Sequence, residues 1–203
     1  MGEIFWELGD EKIAALEKYA ELLTQWNAKI NLVSRKDVLN VIVRHIVPCL
    51  SLARIADFSA GESVLDLGTG GGLPGIPLAI AKGDVNFTLV DSIYKKILAV
   101  SAMIRSLALK NARAVTVRAE DLTEKFDKIV ARAVTNLGDF LKYSRRLLVP
   151  GGKIFYLKGG DCAADLELLA DLKLSKACAL HSLEETTGIG ALADKVVLEI
   201  ICQ

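Results

Sequence analysis

The stretch from Ser63 to Pro77, SVLDLGTGGGLPGIP, constrains this chain more than any other. A short apolar run, Val64-Leu65-Asp66-Leu67, breaks at Gly68-Thr69-Gly70-Gly71-Gly72, and after Pro74 and Gly75 an apolar segment of helical character runs from Ile76 to Ala81. Strand, glycine loop and helix in this order form the layout of a nucleotide-type cofactor site. Glycine adopts positive φ and has no Cβ to hold a ligand off the backbone. Amides at the start of the following helix are expected to point into the loop. A dinucleotide fingerprint, G-x-G-x-x-G, fits at Gly68 and Gly70 but meets Leu73 at its sixth position. Asp66 is an acid just before the loop, and Asp91 follows 25 residues later at the end of the next apolar run, Phe87–Val90. A carboxylate there can accept both hydroxyls of an adenosine ribose. Loop, Asp66 and Asp91 together point to an adenosine-containing cofactor; a tight βα turn without a ligand is the competing reading.

A chain of 203 residues, 52% of them apolar, suffices for one α/β domain with a small extension. The apolar run nearest to a membrane span, Val41 to Leu50, is interrupted by Arg44, His45 and Pro48. The first residues, MGEIFWELGD, carry acids and no basic segment, unlike a signal peptide. Cys49, Cys162, Cys178 and Cys202 form no C-x-x-C pair and read as reduced core thiols of a cytoplasmic protein. Two distant histidines argue against zinc, and no metal is expected. The net charge is zero, but its distribution is uneven. Residues 82–158 hold 15 Lys and Arg against 7 Asp and Glu, whereas residues 159–203 hold 3 against 8. A basic middle segment suits a polyanion-binding face, against the alternative of charges spread over the surface.

Spacings of three and four among Ile13, Leu16, Ala20, Leu23, Trp26 or Asn27, and Ile30 predict an amphipathic helix over residues 11–30. Ser34-Arg35-Lys36-Asp37 has a capping-box pattern, so a second helix is expected from near Asp37 towards Ala56, bent at Pro48. His45 within it reads as structural and Cys49 as core. Strands are expected at Asn86–Val90, Ala114–Val117, Lys128–Ala131 and Lys153–Leu157. Helices are expected at Lys95–Leu109, with Ile97, Leu98, Met103, Ile104 and Leu107 towards the sheet, and at Leu137–Leu148. Such alternation means a parallel sheet covered on both faces. Lys176–Leu183 and Lys195–Cys202 read as two closing strands across a loop with Gly188 and Gly190, where a dinucleotide dehydrogenase would repeat its βαβ half.

Several segments together carry a family resemblance. They are Gln25–Leu32, His45-Ile46, Asp66–Leu78, Leu89–Ser92, Arg118-Ala119-Glu120, Arg132-Ala133-Val134 and Lys158-Gly159. On these the chain resembles the RsmG (GidB) family, guanine-N7 methyltransferases of small-subunit (16S) ribosomal RNA. It departs from the family at Pro48-Cys49, where Asp-Ser is frequent. The resemblance implies a Rossmann-like class I fold. That fold has a seven-stranded, mostly parallel sheet with an antiparallel last strand, a helical extension over residues 1–60 and a methyltransferase unit over 61–203. It implies S-adenosylmethionine as cofactor. Asp66, Gly68, Gly70 and Leu73 would lie along its methionine and ribose, Asp91 would hold the ribose, and Ala119 and Glu120 would flank the adenine. Arg132 would stand at the mouth between cofactor and guanine, positioning the reactants without acting as a base. Small-subunit ribosomal RNA or the subunit itself would be the partner of a monomer with no membrane association.

Guanine N7 carries a free lone pair and no proton, so alignment supplies most of what such a transfer needs. Arg132-Ala133-Val134 offers no polar clamp for an exocyclic amine. Phosphate contacts come mostly from Lys and Arg, which makes Arg35, Lys36, Lys95, Lys96, Arg132, Arg145, Arg146 and Lys158 the RNA-binding candidates. A small-molecule methyltransferase on the same fold, and a nucleotide-binding protein without activity, are the alternatives.

Overall fold

The computed structural model describes residues 6–34, 40–132, 136–172 and 178–202. Helix α1 (Asp10–Asn27) leads into a π-helical turn at Ile42–Ile46 and α2 (Val47–Ile55). The alternating part follows: β1 (Ser63–Leu67), α3 (Gly75–Ala81), β2 (Asn86–Asp91), α4 (Tyr94–Ser106), β3 (Ala112–Thr116), β4 (Phe126–Arg132), α5 (Leu137–Ser144) and β5 (Leu148–Gly159). It closes with α6 (Ala163–Asp171), β6 (Cys178–Ser182), α7 (Leu183–Thr187) and β7 (Lys195–Ile201). The seven strands lie in the order β3-β2-β1-β4-β5-β7-β6. β1 to β5 pair in parallel, and β7 runs antiparallel to both β5 and β6. This is the expected seven-stranded, mostly parallel sheet.

Period-two alternation sends neighbouring side chains to opposite faces. Val64, Phe155, Leu157 and Val197 join the core beneath α1 to α4 and α7. Leu65, Leu67, Ile154, Tyr156, Leu198 and Ile200 join the core beneath α5 and α6. With both faces covered, the central strands read as continuous apolar runs. The order reverses between β1 and β4, so the crevice of an open α/β sheet lies above their carboxyl ends.

Several elements differ from the sequence reading. The segment before Pro48 winds as a π turn rather than an α-helix, and Pro48 occupies the first turn of α2, where proline is tolerated. Leu98 is 46% exposed, on the solvent side of α4, because the sheet-facing stripe runs through Ile97, Val100, Met103 and Ile104. β3 begins at Ala112, two residues early. Helices α6 and α7 were not foreseen. α7 nonetheless carries local signals: Ser182 Oγ accepts from Glu185 N at 3.3 Å, and Gly188 ends the helix at φ 72°. Cys49, Cys162 and Cys202 are buried, but Cys178 is only half-buried on the edge strand β6. The capping box at 34–37, Arg35, Lys36, Ala133 and Val134 involve positions outside the described residues, as does the start of the Lys176–Leu183 strand.

Candidate functional site: a cofactor cleft and a second cavity

The glycine loop is held chiefly by the protein itself. Gly68 and Gly70 take φ of 79° and 57°, as glycine permits. A Cβ at Gly71 would lie 2.8 Å from Leu23 Cδ1, and one at Gly75 would lie 2.6 Å from Leu89 Cγ and 2.7 Å from Asp66 Oδ2. Gly71 and Gly75 therefore let α1, β2 and Asp66 approach the loop, rather than a ligand. A Cβ at Gly70 would meet nothing closer than 4.0 Å, which leaves this part of the loop open. Tyr19 Oη from α1 donates to Gly71 O at 2.9 Å in a buried contact.

Asp66 is 0% exposed. Its Oδ2 accepts from Thr69 Oγ1 at 2.6 Å and from Gly75 N at 2.8 Å. The helix-start amide expected to face a ligand is thus taken by Asp66. Among the described residues its buried Oδ1 has no hydrogen-bond partner. Burial pushes the carboxyl up to about 7, against the lowering effect of the Thr69 and Gly75 hydrogen bonds and of Arg132. Leu73 packs into the core among α1, α3 and Ile76. Asp66 is fully buried and Leu73 is 5% exposed, so both support the loop from within.

A cleft of about 600 Å³ opens at the carboxyl ends of β1 and β2. The structure brings Gly68, Asp91, Ala119 and Glu120 together there. Asp91 is oriented by the backbone: Oδ1 accepts from Ile93 N at 2.9 Å and Oδ2 from Gly70 N at 3.2 Å. Lys96 also reaches Asp91 Oδ2, at 3.3 Å, so this lysine belongs to the cleft and not to a free RNA-facing surface. Val90, Ile93, Val117 and Phe140 supply apolar walls. Asp91 and Glu120 over an apolar slot suit the ribose and base of an adenosine. The residues therefore fit S-adenosylmethionine. The wall contributed by α5 escaped the sequence reading, although Asn136, whose Oδ1 accepts from Asp139 N at 2.9 Å, marks where that helix starts.

A second cavity, about 700 Å³, opens over the carboxyl ends of β4 and β5 and includes Arg44, His45, Pro48, Arg132, Lys158 and Lys195. Arg132 stands on this second cavity, beside His45 and Lys158. Its Nη1 lies 3.4 Å from His45 O and 4.0 Å from Cys49 Sγ, and its Nη2 meets His45 Nδ1. A guanidinium only donates, so Nδ1 accepts and the imidazole is the Nε2–H tautomer. Burial pushes the Cys49 thiol up to about 12, opposed by Arg132, so it stays protonated and inert at neutral pH.

The other RNA candidates divide. Lys95 and Arg145 are exposed. Lys158 pairs with Asp165 and donates to Asp161 O at 3.2 Å; the Asp165 bond is the main cause that lifts its pKa above the ordinary lysine value. Arg146 donates to the carbonyls of Ala119, Glu120 and Leu122 at 2.5 to 2.8 Å. Among the described residues no cluster of His, Cys, Asp and Glu could hold a metal ion.

Sheet order, glycine loop and carboxylate-bearing cleft define a Rossmann-like S-adenosylmethionine-dependent methyltransferase. Solved structures agree on the fold. A methyltransferase from Aquifex aeolicus superimposes with a TM-score of 0.62 at 11% identity, covering 84% of this chain and 100% of that one. M. jannaschii TYW2 in complex with AdoMet superimposes at 0.60 and 18% identity, covering 81% and 79%. The family model for GidB, rRNA small subunit methyltransferase G, matches residues 12–189, and the chain belongs to that family. Its relatives include the ribosomal RNA small subunit methyltransferases G of Chlorobaculum tepidum, 52% identical over 91% of this chain and 81% of the relative, and of Flavobacterium psychrophilum, 44% identical over 80% and 81%.

Proposed function

We propose that this chain transfers a methyl group from S-adenosylmethionine to N7 of a guanine in small-subunit ribosomal RNA, and that the cavity around Arg132 receives the base. The carrying observation is the pair of cavities over adjacent parallel strands, one acidic and apolar, the other lined by Arg44, Arg132, Lys158 and Lys195 against Asp194. S-adenosylmethionine, which Asp91, Glu120 and the loop at Gly68 would hold in the cleft, would supply an electrophilic methyl group for the N7 lone pair. Arg132 orients the acceptor through the guanine O6 edge or a neighbouring phosphate, and its permanent charge excludes it as a base. His45 holds the guanidinium of Arg132 in place from α2's approach. Alignment then carries most of the rate.

The same reading places the chain in the cytoplasm as a monomer, with residues 1–60 as a helical extension and 61–203 as the methyltransferase unit. Among the described residues no helix is long and apolar enough to cross a membrane.

Labelled S-adenosylmethionine and ribosomal RNA from cells lacking the protein supply the test, since N7-methylguanine makes RNA cleavable by reduction and aniline. Cleavage at one guanine of the small-subunit RNA is expected. A methyl on an exocyclic amine or a pyrimidine carbon would refute the chemistry. Label in no RNA would favour a small-molecule acceptor or a binding protein.

A further inference from the structure

Two separate pieces of chain wall the cofactor cleft: the segment Val117–Glu120 after β3, and Asp139, Phe140 and Tyr143 of α5. The first is a loop with a single 3-10 turn at Ala119–Asp121, whose internal bonds are Asp121 N to Arg118 O at 3.0 Å and Leu122 N to Ala119 O at 3.4 Å. Val117, Ala119 and Leu122 pack against the core beneath α5, but the turn's own backbone bonds do little to fix its distance from that helix. Arg146 sits in the 3-10 turn Arg145–Leu147 that directly follows α5. Its Nη2 donates to Ala119 O at 2.5 Å and Glu120 O at 2.6 Å, and its Nη1 donates to Leu122 O at 2.8 Å. Lys125, just beyond the loop, donates in return to Arg146 O. Loop and helix end are therefore stitched in both directions.

We propose that Arg146 is a positioning residue for the cofactor, one that sets the width of the cleft by tying the Ala119–Leu122 turn to the end of α5. This rests on the reading of the cleft as the S-adenosylmethionine site. Three carbonyls of one turn converge on one planar fork, a geometry that a lysine ammonium cannot span. The turn carries Ala119 and Glu120 and the fork is continuous with the helix that carries Phe140 and Tyr143, so releasing the fork frees one wall from the other. Most of the guanidinium's terminal donors are used on carbonyls, which sets Arg146 apart from a phosphate contact.

The test compares the full-length wild type with Arg146→Ala and Arg146→Lys by titration calorimetry with S-adenosylhomocysteine, RNA filter binding, and hydrogen exchange at the amides of residues 119–122 without ligand. Arg146→Ala is expected to raise the Kd for S-adenosylhomocysteine about tenfold, to speed exchange of the turn amides, and to leave RNA affinity within about twofold. Arg146→Lys is expected to fall between, and it decides the matter should Arg146→Ala fail to fold. Unchanged S-adenosylhomocysteine affinity, unchanged exchange, or a loss confined to RNA binding would overturn the proposal. A wild-type chain that bound no S-adenosylhomocysteine would overturn the cofactor reading and this proposal together. A wild type that bound it as tightly as the alanine variant would overturn this proposal alone.

Discussion

Asp91 and Asp66 are two aspartates at the ends of neighbouring strands, and their surroundings give them different work. Asp91 is held by two backbone amides and lines the cleft. A hydrogen bond from a ligand to a carboxylate contributes roughly 1.5–3 kcal/mol. Asp91→Ala is therefore expected to weaken S-adenosylmethionine binding about tenfold or more, read by calorimetry on folded protein. Asp66 is fully buried and its carboxyl is raised from 3.8 to about 7. An acid whose folded pKa is raised contributes stability that is complete below the unfolded value and is lost as pH rises through the folded one. Wild-type stability should thus fall between about pH 4 and pH 7 relative to Asp66→Asn, whose amide oxygen can still accept from Thr69 and Gly75. At about 1.4 kcal/mol per pKa unit the gap at pH 8 is a few kcal/mol. Asp66→Asn should melt roughly 5 °C or more above wild type at pH 8, with the difference gone near pH 4. A constant difference across that range would mean that Asp66 is not the titrating group. Arg132→Ala is expected to depress turnover with S-adenosylmethionine affinity nearly kept, and Arg132→Lys to restore it only in part, since an ammonium lacks the fork that meets His45.

At the scale of elements, α1 braces the site although it lies outside the alternating part of the chain. Its Lys12 Nζ caps the carbonyl of Ala81 at the end of α3 at 2.7 Å, and its Lys18 Nζ caps Ser106 O at the end of α4 at 2.8 Å. Asn27, at its last turn, accepts from Leu32 N and Val33 N at 2.8 and 2.9 Å and so turns the chain back. Tyr19 adds the buried bond to Gly71 O. Removing that hydroxyl leaves a buried carbonyl without a donor, at a cost of about 1–3 kcal/mol. Tyr19→Phe should lower stability by that amount in chemical denaturation, with an unchanged dependence on denaturant, and should loosen the loop enough to weaken cofactor binding. Full stability in the variant would mean that α1 touches the loop without holding it.

For the whole molecule the charge distribution matters more than its zero sum. The excess of basic residues lies in 82–158, the segment that supplies β2 to β5 and most of the cofactor cleft's lining. Several of those charges are engaged: Lys96 with Asp91, Lys158 with Asp165, Arg113 with Glu124. Lys95 and Arg145 are exposed and are the better candidates for phosphate contacts. Counterion release makes the logarithm of RNA affinity fall linearly with log salt, with a slope set by the phosphates neutralised. Reversing Lys95 and Arg145 together should flatten that slope by about two and leave S-adenosylhomocysteine affinity unchanged. RNA binding that ignores salt would mean that the basic segment is only a solvated surface.

The sequence by itself determined the alternation of strands and helices, because continuous apolar runs of strand length separated by amphipathic stretches have few other ways to bury themselves. Glycines at positive φ and an acid at a strand end are likewise local requirements, readable at Gly68, Gly70 and Asp91. Burial, by contrast, is decided in three dimensions: Asp66 is enclosed with its bonds to Thr69 and Gly75, and Leu73 joins the core that α1 and α3 share. His45 meets Arg132 across 87 positions, and Arg146 reaches the Ala119–Leu122 turn across 24 to 27, distances over which no periodicity or local motif carries information. A cation's sequence neighbours say that it is charged. Whether the charge meets a carboxylate, three carbonyls or solvent depends on which loops the sheet order brings to the same edge.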